Sequence, residues 1–227
     1  FTEAKQEDYM LQGRPHGTYE PVAYDAKQLP TIKGFIKAEL VPEGKMPHPI
    51  GDRNKVHKAH FGPRVHALER LIRDNVDQFA WFRPLAYKGV DTATDLVDWY
   101  HSCDAARENV FSVDWSAWDS RIPNWMFDAL CDFYRIVFGK FENDDDLYAA
   151  YQSPRWNWYK YGVCYNRPGR VSGDVDTLLG NTILHYALVY AWADYKGTVV
   201  SGRGKGDDGL YSSKNDAMFW EDLAETV

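Results

Sequence analysis

Two acids stand side by side, Asp207 and Asp208, within Thr-Val-Val-Ser-Gly-Arg-Gly-Lys-Gly-Asp-Asp-Gly-Leu-Tyr-Ser-Ser, residues 198–213. β-prone runs at Thr198–Ser201 and Leu210–Ser213 flank a glycine-rich centre, which predicts a hairpin with the acids at its turn. Adjacent carboxylates repel each other, and the repulsion grows as water is lost around them. A divalent cation offsets it, and a donor set made only of oxygen suits Mg2+ or Mn2+. Asp and Gly are also the ordinary residues of a solvated turn. The pair therefore acquires meaning only from what stands elsewhere in the chain.

Two upstream segments bear on it. Phe111-Ser112-Val113-Asp114-Trp115 alternates apolar and polar residues, which predicts a strand with Asp114 at its C-terminal end. Sheets commonly carry chemistry at that end. Asp119 follows five positions on, ahead of Ile122-Pro123, and Pro123 suits the first turn of a helix running to Phe138. Its expected apolar side is Trp125, Met126, Ala129, Leu130, Phe133, Ile136 and Val137, with Gly139 ending it. The second segment, Ser172-Gly173-Asp174-Val175-Asp176-Thr177-Leu178-Leu179-Gly180-Asn181, puts a flexible Ser-Gly step before a long helix that ends at Gly197. Thr177 and Asn181, four apart, share one helical face, with Asp174 a turn earlier. Such a polar stripe needs partners if buried, and capping hydroxyls are its plainer explanation.

The elements that would position these residues read as mixed α and β. Thr31–Leu40 has strand character and carries Lys33 and Lys37; a Pro/Gly-rich loop then leads to Arg53, Lys55 and Lys58. These cations suit phosphates, and equally a solvated basic face. Helical spacing covers Pro63–Trp81 and Thr94–Glu108, the second with Leu96, Val97, Tyr100 and Cys103 inward. Asp144-Asp145-Asp146 lacks the spacing of a calcium loop and reads as an exposed acidic turn. Ser153–Arg170 interleaves Trp156, Trp158, Tyr159, Tyr161 and Tyr165 with Arg155, Lys160, Arg167 and Arg170 around an Asn166-Arg167-Pro168-Gly169 turn. That mixture suits stacking on single-stranded nucleic acid and, as well, plain hairpin packing. Residues 1–30 show no periodicity.

Composition bounds the rest. With 227 residues, 44% apolar and 15% aromatic, the chain has ample material for a core and is not of the disordered class. Cys103, Cys131 and Cys164 lie far apart without a C-x-x-C pair, which points away from a disulfide framework or zinc site and toward a reducing compartment. The longest apolar run, Thr182–Ala193, is too short to span a bilayer, and the start shows no signal-peptide pattern. The first residue is Phe and the last segment stops inside an expected helix, so a fragment of a longer polypeptide is expected. The net charge of −7 is uneven: Lys27–Arg73 holds ten Lys/Arg against four Asp/Glu, and Asp91–Ala150 holds four against thirteen. A basic channel beside an acidic site is compatible with that asymmetry.

Asp-x4-Asp on a strand, Ser-Gly-x3-Thr-x3-Asn opening a helix and Gly-Asp-Asp on a hairpin, in this order, resemble motifs A, B and C of the viral RNA-dependent RNA polymerases. The matching residues are Asp114 and Asp119, then Ser172, Gly173, Thr177 and Asn181, then Gly206, Asp207 and Asp208. Lys33–Glu39 with Pro47 and Arg53 is similar to part of the basic motif F, with His48 where that pattern has an arginine. Motif B and the basic segment look tombusvirus-like or flavivirus-like; Asp119–Pro123 with Trp125 is closer to picobirnavirus and partitivirus polymerases.

The resemblance covers roughly residues 30–213. It implies an α+β right-hand palm, an antiparallel sheet backed by the helices after Pro123 and Gly173, with partial fingers and no thumb before Val227. The implied division is 1–110 N-terminal and fingers, 111–139 palm, 140–170 fingers hairpin and 171–227 palm. It implies RNA synthesis from NTPs on an RNA template, with two Mg2+ or Mn2+ ions on Asp114, Asp207 and Asp208. It further implies ribose and NTP recognition by Asp119, Ser172, Gly173, Thr177 and Asn181, and triphosphate contact by Lys37 and Arg53. Other viral replication proteins as partners, and the host cytoplasm or the virion as location, follow from the same resemblance. Two competing classes remain on the sequence alone. A reverse transcriptase or DNA polymerase shares the acidic palm, and a catalytically silent RNA-binding module or dead polymerase relative would use only the basic and aromatic segments.

Overall fold

A computed structural model describes residues 24–38, 40, 43–44, 49–75, 93–140, 143–158, 162–166 and 169–214. The elements run β1 (Thr31–Ile36), β2 (Pro49–Arg53), α1 (Lys55–Asp74), α2 (Ala93–Ala105), β3 (Asn109–Asp114), α3 (Trp118–Arg121), α4 (Asn124–Phe138), α5 (Asp144–Gln152), β4 (Arg155–Trp158), β5 (Val163–Asn166), α6 (Thr177–Tyr195), β6 (Val200–Lys205) and β7 (Asp208–Ser213). Two compact units interleave along the chain. One takes residues up to Leu68 together with Asp119–Thr177; the other takes Glu69–Trp118 and everything from Leu178.

The first unit holds a four-stranded sheet in the order β2-β1-β4-β5, with β1 and β4 parallel and the other neighbours antiparallel. Helix α1 begins at Lys55, eight residues before the expected start at Pro63. Pro63, where helical spacing begins in the sequence, lies inside the helix. The side chain of Asn54 caps the true start by accepting the Val56 N–H at 2.7 Å. Val56, Phe61, Val65, Leu68 and Ile72 are the buried apolar side of α1. Phe61 is ringed by His57, Tyr134, Phe138, Tyr148 and Tyr151.

Helix α4 buries Met126, Phe127, Leu130, Cys131 and Tyr134, whereas Trp125 and Ile136 are 65% and 82% exposed. The expected stripe was therefore turned about the helix axis. Counting purely apolar residues passed over Tyr134, whose hydroxyl donates to buried Asp176 at 2.8 Å. Asp144–Asp146 form no exposed turn either. They open α5, where carboxylates favour the helix's positive end, and Asp144 is buried in an ion pair with Arg64.

The second unit holds the antiparallel sheet β3-β7-β6. Helix α2 turns Trp99 and Cys103 inward, while Val97 and Tyr100, expected inside, are exposed. Trp99 decides the orientation: its indole N–H donates to Ser201 and its ring lies under the Arg203 guanidinium, 5.1 Å from the centroid. The end of the helix expected over Pro63–Trp81, His48, the tip of the aromatic hairpin at 159–161 and 167–168, and the chain after Lys214 lie outside the described residues.

Candidate active site

The antiparallel register pairs Asp114, the last residue of β3, with Asp208, the first of β7. On the far side of β7, Lys205 pairs with Asp208, so the connection between β6 and β7 is two residues long, Gly206-Asp207. Gly206 has φ +66° while Asp207 is not among the positive-φ residues, the sign pattern of a type II′ hairpin turn. The Trp115 N–H donates to the Asp207 carbonyl at 3.4 Å, which ties the end of β3 to that turn. Three carboxylates from two distant segments thus meet at one end of the second unit's sheet.

The glycine-rich run expected as a long turn is mostly strand. Its glycines make room for rings: a Cβ on Gly204 would stand 2.8 Å from the Tyr186 ring, and one on Gly209 would stand 2.6 Å from Tyr211 and 2.7 Å from His185. Tyr211 is fully buried and stacks on Phe111, its cross-strand partner.

Loss of water raises the Asp208 carboxyl above the usual carboxylate range, and the charges of Asp207 and Asp114 raise it further against the opposing pull of Lys205. Among the described residues, none of the three acids accepts a salt bridge. Nor does any group of three His, Cys, Asp or Glu among the described residues form a ready-made metal cluster. The two observations concern different ranges, because charge acts at separations beyond ligation distance. The donor set itself, oxygen-only and mutually repelling, fits a hard divalent cation.

The other expected site residues divide between the units. Ser172 is exposed, and the backbone of Gly173 crowds the Gly51 carbonyl so closely that any Cβ would overlap it. The Thr177 hydroxyl donates to the Val171 and Asp174 carbonyls at 3.0 and 2.9 Å, holding the first turn of α6. Asp119 is half-buried in α3; both it and Thr177 belong to the first unit, and Asn181, buried on α6, belongs to the second. Lys37 is exposed just past β1.

Arg53 departs from expectation. It is 1% exposed, with Nε and Nη2 on the Asp174 carboxylate and Nη1 on the Ala150 carbonyl at 2.8 Å. A guanidinium so enclosed and so fully engaged braces the residues after Gly173 and is not presented to a triphosphate. Beside it, Asp176 takes Arg170 and the hydroxyls of Tyr134 and Tyr151. This buried network was not anticipated, because Asp174 and Asp176 were read only as part of a polar helix opening.

Three further residues under the acidic turn were missed: Thr182, His185 and Tyr186 on α6. The Gly206 N–H donates to Thr182 Oγ1 at 2.8 Å, the Gly204 N–H to the Tyr186 hydroxyl at 2.8 Å, and His185 Nδ1 lies 3.3 Å from the Gly206 carbonyl. Burial lowers the His185 imidazole to about 4, so the ring is neutral near pH 7 and its Nδ1 carries the donated proton. The available signal was a hydroxyl, an imidazole and a phenol at i, i+3 and i+4 inside the apolar run Thr182–Ala193.

A strand ending in one aspartate, paired with a tight hairpin carrying two more, above the helix that follows a Ser-Gly step, defines a polymerase palm. The family model described as viral RNA-dependent RNA polymerase matches residues 77–225, more than half of the chain. The chain belongs to that family. It is similar in fold to the crystal structure of the RNA-dependent RNA polymerase of a human picobirnavirus, with TM-score 0.66 and 13% identity over 85% of this chain and 38% of the other. An insertion-loop deletion mutant of that enzyme gives TM-score 0.62 and 14% identity over 86% and 38%. The chain thus spans well under half the length of those polymerases. A search of curated proteins finds no match. Among the described residues no helix is long and apolar enough to cross a membrane.

Proposed function

We propose that the chain forms the palm and part of the fingers of an enzyme that copies RNA from NTPs on an RNA template, in the host cytoplasm or in the virion. The observation that carries this is the Asp114–Asp208 register beside Asp207 in a chain of this family. In this reading 111–139 and 171–227 are palm, and 1–110 and 140–170 are fingers.

Asp114 and Asp207 hold two Mg2+ or Mn2+ ions between them, with Asp208 as auxiliary ligand or electrostatic neighbour. Ions held by these carboxylates would supply Lewis-acid activation of a primer 3′-hydroxyl and neutralise charge on the triphosphate and leaving pyrophosphate. Asp119, Thr177 and Asn181 read the ribose 2′-hydroxyl. A site built to pair a hydroxyl disfavours the deoxy substrate, which leaves buried polar groups without a partner. Ser172-Gly173 forms the loop beside the template base, shaped by the Gly51 contact. Lys37 faces the triphosphate, and Arg53 serves this site through Asp174.

Asp207→Ala in the full-length protein is expected to abolish primer extension, a loss of at least about a hundredfold, with the fold retained in a thermal melt. Retained turnover overturns the assignment. Asn181→Ala and Asp119→Ala are expected to relax discrimination between UTP and dTTP. The ribose role is lost if both variants select as the parent does, and a parent that prefers dTTP would instead be a DNA-synthesising relative.

A further inference from the structure

Side chains of helix α6 reach the backbone of the hairpin that carries the acidic turn, and the contacts form a short relay. The Gly206 N–H, inside the two-residue turn and outside the β ladder, donates to Thr182 Oγ1 at 2.8 Å. The same hydroxyl donates onward to the Leu178 carbonyl at 2.7 Å. One turn further along the helix, Tyr186 accepts the N–H of Gly204 at 2.8 Å, and its ring occupies the space that a side chain on Gly204 would need. Strand β6 is the sheet's edge, so Gly204 can turn its N–H to a side chain in place of a neighbouring strand. His185 closes the set on the Gly206 carbonyl. Residues 182, 185 and 186 share one face of the helix, and each puts a polar atom on the backbone of Gly204 or Gly206.

We propose that Thr182 and Tyr186 are positioning residues that set the pitch of the Gly206-Asp207 turn, and so the convergence of the Asp207 and Asp208 carboxylates on Asp114 for a divalent cation. The inference rests on the acidic site proposed above and adds what aims it. Three like charges gathered at one sheet end, one of them on the turn, would by themselves splay outward to relieve repulsion. A turn anchored at both ends of its first half cannot rotate to do so. Neither residue touches substrate or cation in this arrangement. Their effect is on how well the carboxylates are gathered before the ion arrives, and therefore on cation affinity more than on NTP affinity.

The test is Mn2+ binding to the full-length protein without nucleotide, followed by electron paramagnetic resonance, beside the Mg2+ dependence of primer extension. Thr182→Val keeps the shape and removes the relay. It is expected to weaken Mn2+ binding and raise the Mg2+ midpoint by about three- to tenfold, the effect of one lost hydrogen bond, with KM for NTP unchanged. Thr182→Ser should recover most of the affinity. Tyr186→Phe, which keeps the ring over Gly204, should shift the same two readouts less and provides the measurement if Thr182→Val does not fold. Parental Mn2+ affinity in folded Thr182→Val, or in Tyr186→Phe should Thr182→Val not fold, overturns the inference. Asp207→Ala separates the two levels. If it binds Mn2+ as the parent does, the acidic site itself is wrong; if it loses the ion while Thr182→Val keeps it, only the positioning role fails.

Discussion

The two units treat negative charge in opposite ways. In the first, Asp174 and Asp176 are buried and every charge has an opposite: Arg53 on Asp174, Arg170 with two tyrosine hydroxyls on Asp176. In the second, Asp114, Asp207 and Asp208 stand at a sheet end with water on one side and chiefly one another for company. Buried charges without partners are strongly destabilising, and the first arrangement holds two acids inside by pairing each with a guanidinium. The second tolerates repulsion because water screens it, and it leaves carboxylate oxygens available to an ion from outside. The contrast separates acids that hold the fold together from acids that await a ligand.

The strongest way to break this contrast is to delete one acid from each region. Asp174→Ala strands the Arg53 guanidinium in the interior and should cost about 3–5 kcal/mol, read as a large fall in denaturation midpoint or failure to fold. A loss below about 1 kcal/mol would mean that the network is not the strut described here.

Acid provides a middle-sized effect. His57 and His185 are both buried, with desolvation holding the imidazole of His57 well below its ordinary 6.5 and that of His185 at about 4. A depressed folded-state value means that the neutral ring is favoured on folding. The stability so gained is complete above pH 6.5 and is lost as pH falls toward 4. Thermal melts between pH 7 and 4 should fall across that window. A flat profile would show that neither ring is enclosed as drawn.

The smallest effect should have the opposite sign. Asp208→Asn removes one member of a repelling set at an exposed position, so stability should rise slightly, within about 0.5 kcal/mol, while Mn2+ affinity drops. Equal destabilisation by Asp208→Asn and Asp174→Ala would erase the distinction between the two regions.

The acidic end of the second unit was legible from residues 111–115 and 198–213. Alternation placed Asp114 at a strand end, and Gly-Asp-Asp between β-prone runs placed the turn. The glycines misled because they are the common currency of turns, and their actual use is to make room for Tyr211 of the same hairpin and for His185 and Tyr186 on α6. The helix faces of α2 and α4 were misjudged for a related reason. Apolar spacing cannot rank Trp99 over Tyr100, or Tyr134 over Ile136, when a hydrogen bond to a distant partner decides the matter. Arg53 shows the same limit for charge: a basic residue in a basic stretch reads as a phosphate ligand until Asp174, 121 positions away, takes it.

The direct pairing of Asp114 with Asp208 carries a consequence for how this gene can change. Successive side chains on a strand point to opposite faces, so inserting or deleting one codon within Asn109–Asp114 or Asp208–Ser213 would carry an aspartate to the wrong side of the sheet along with every ring beneath it. Homologues that alter length should do so beyond the ends of those two strands, and a library of single-codon indels should find this twelve-residue core the least tolerant part of the chain.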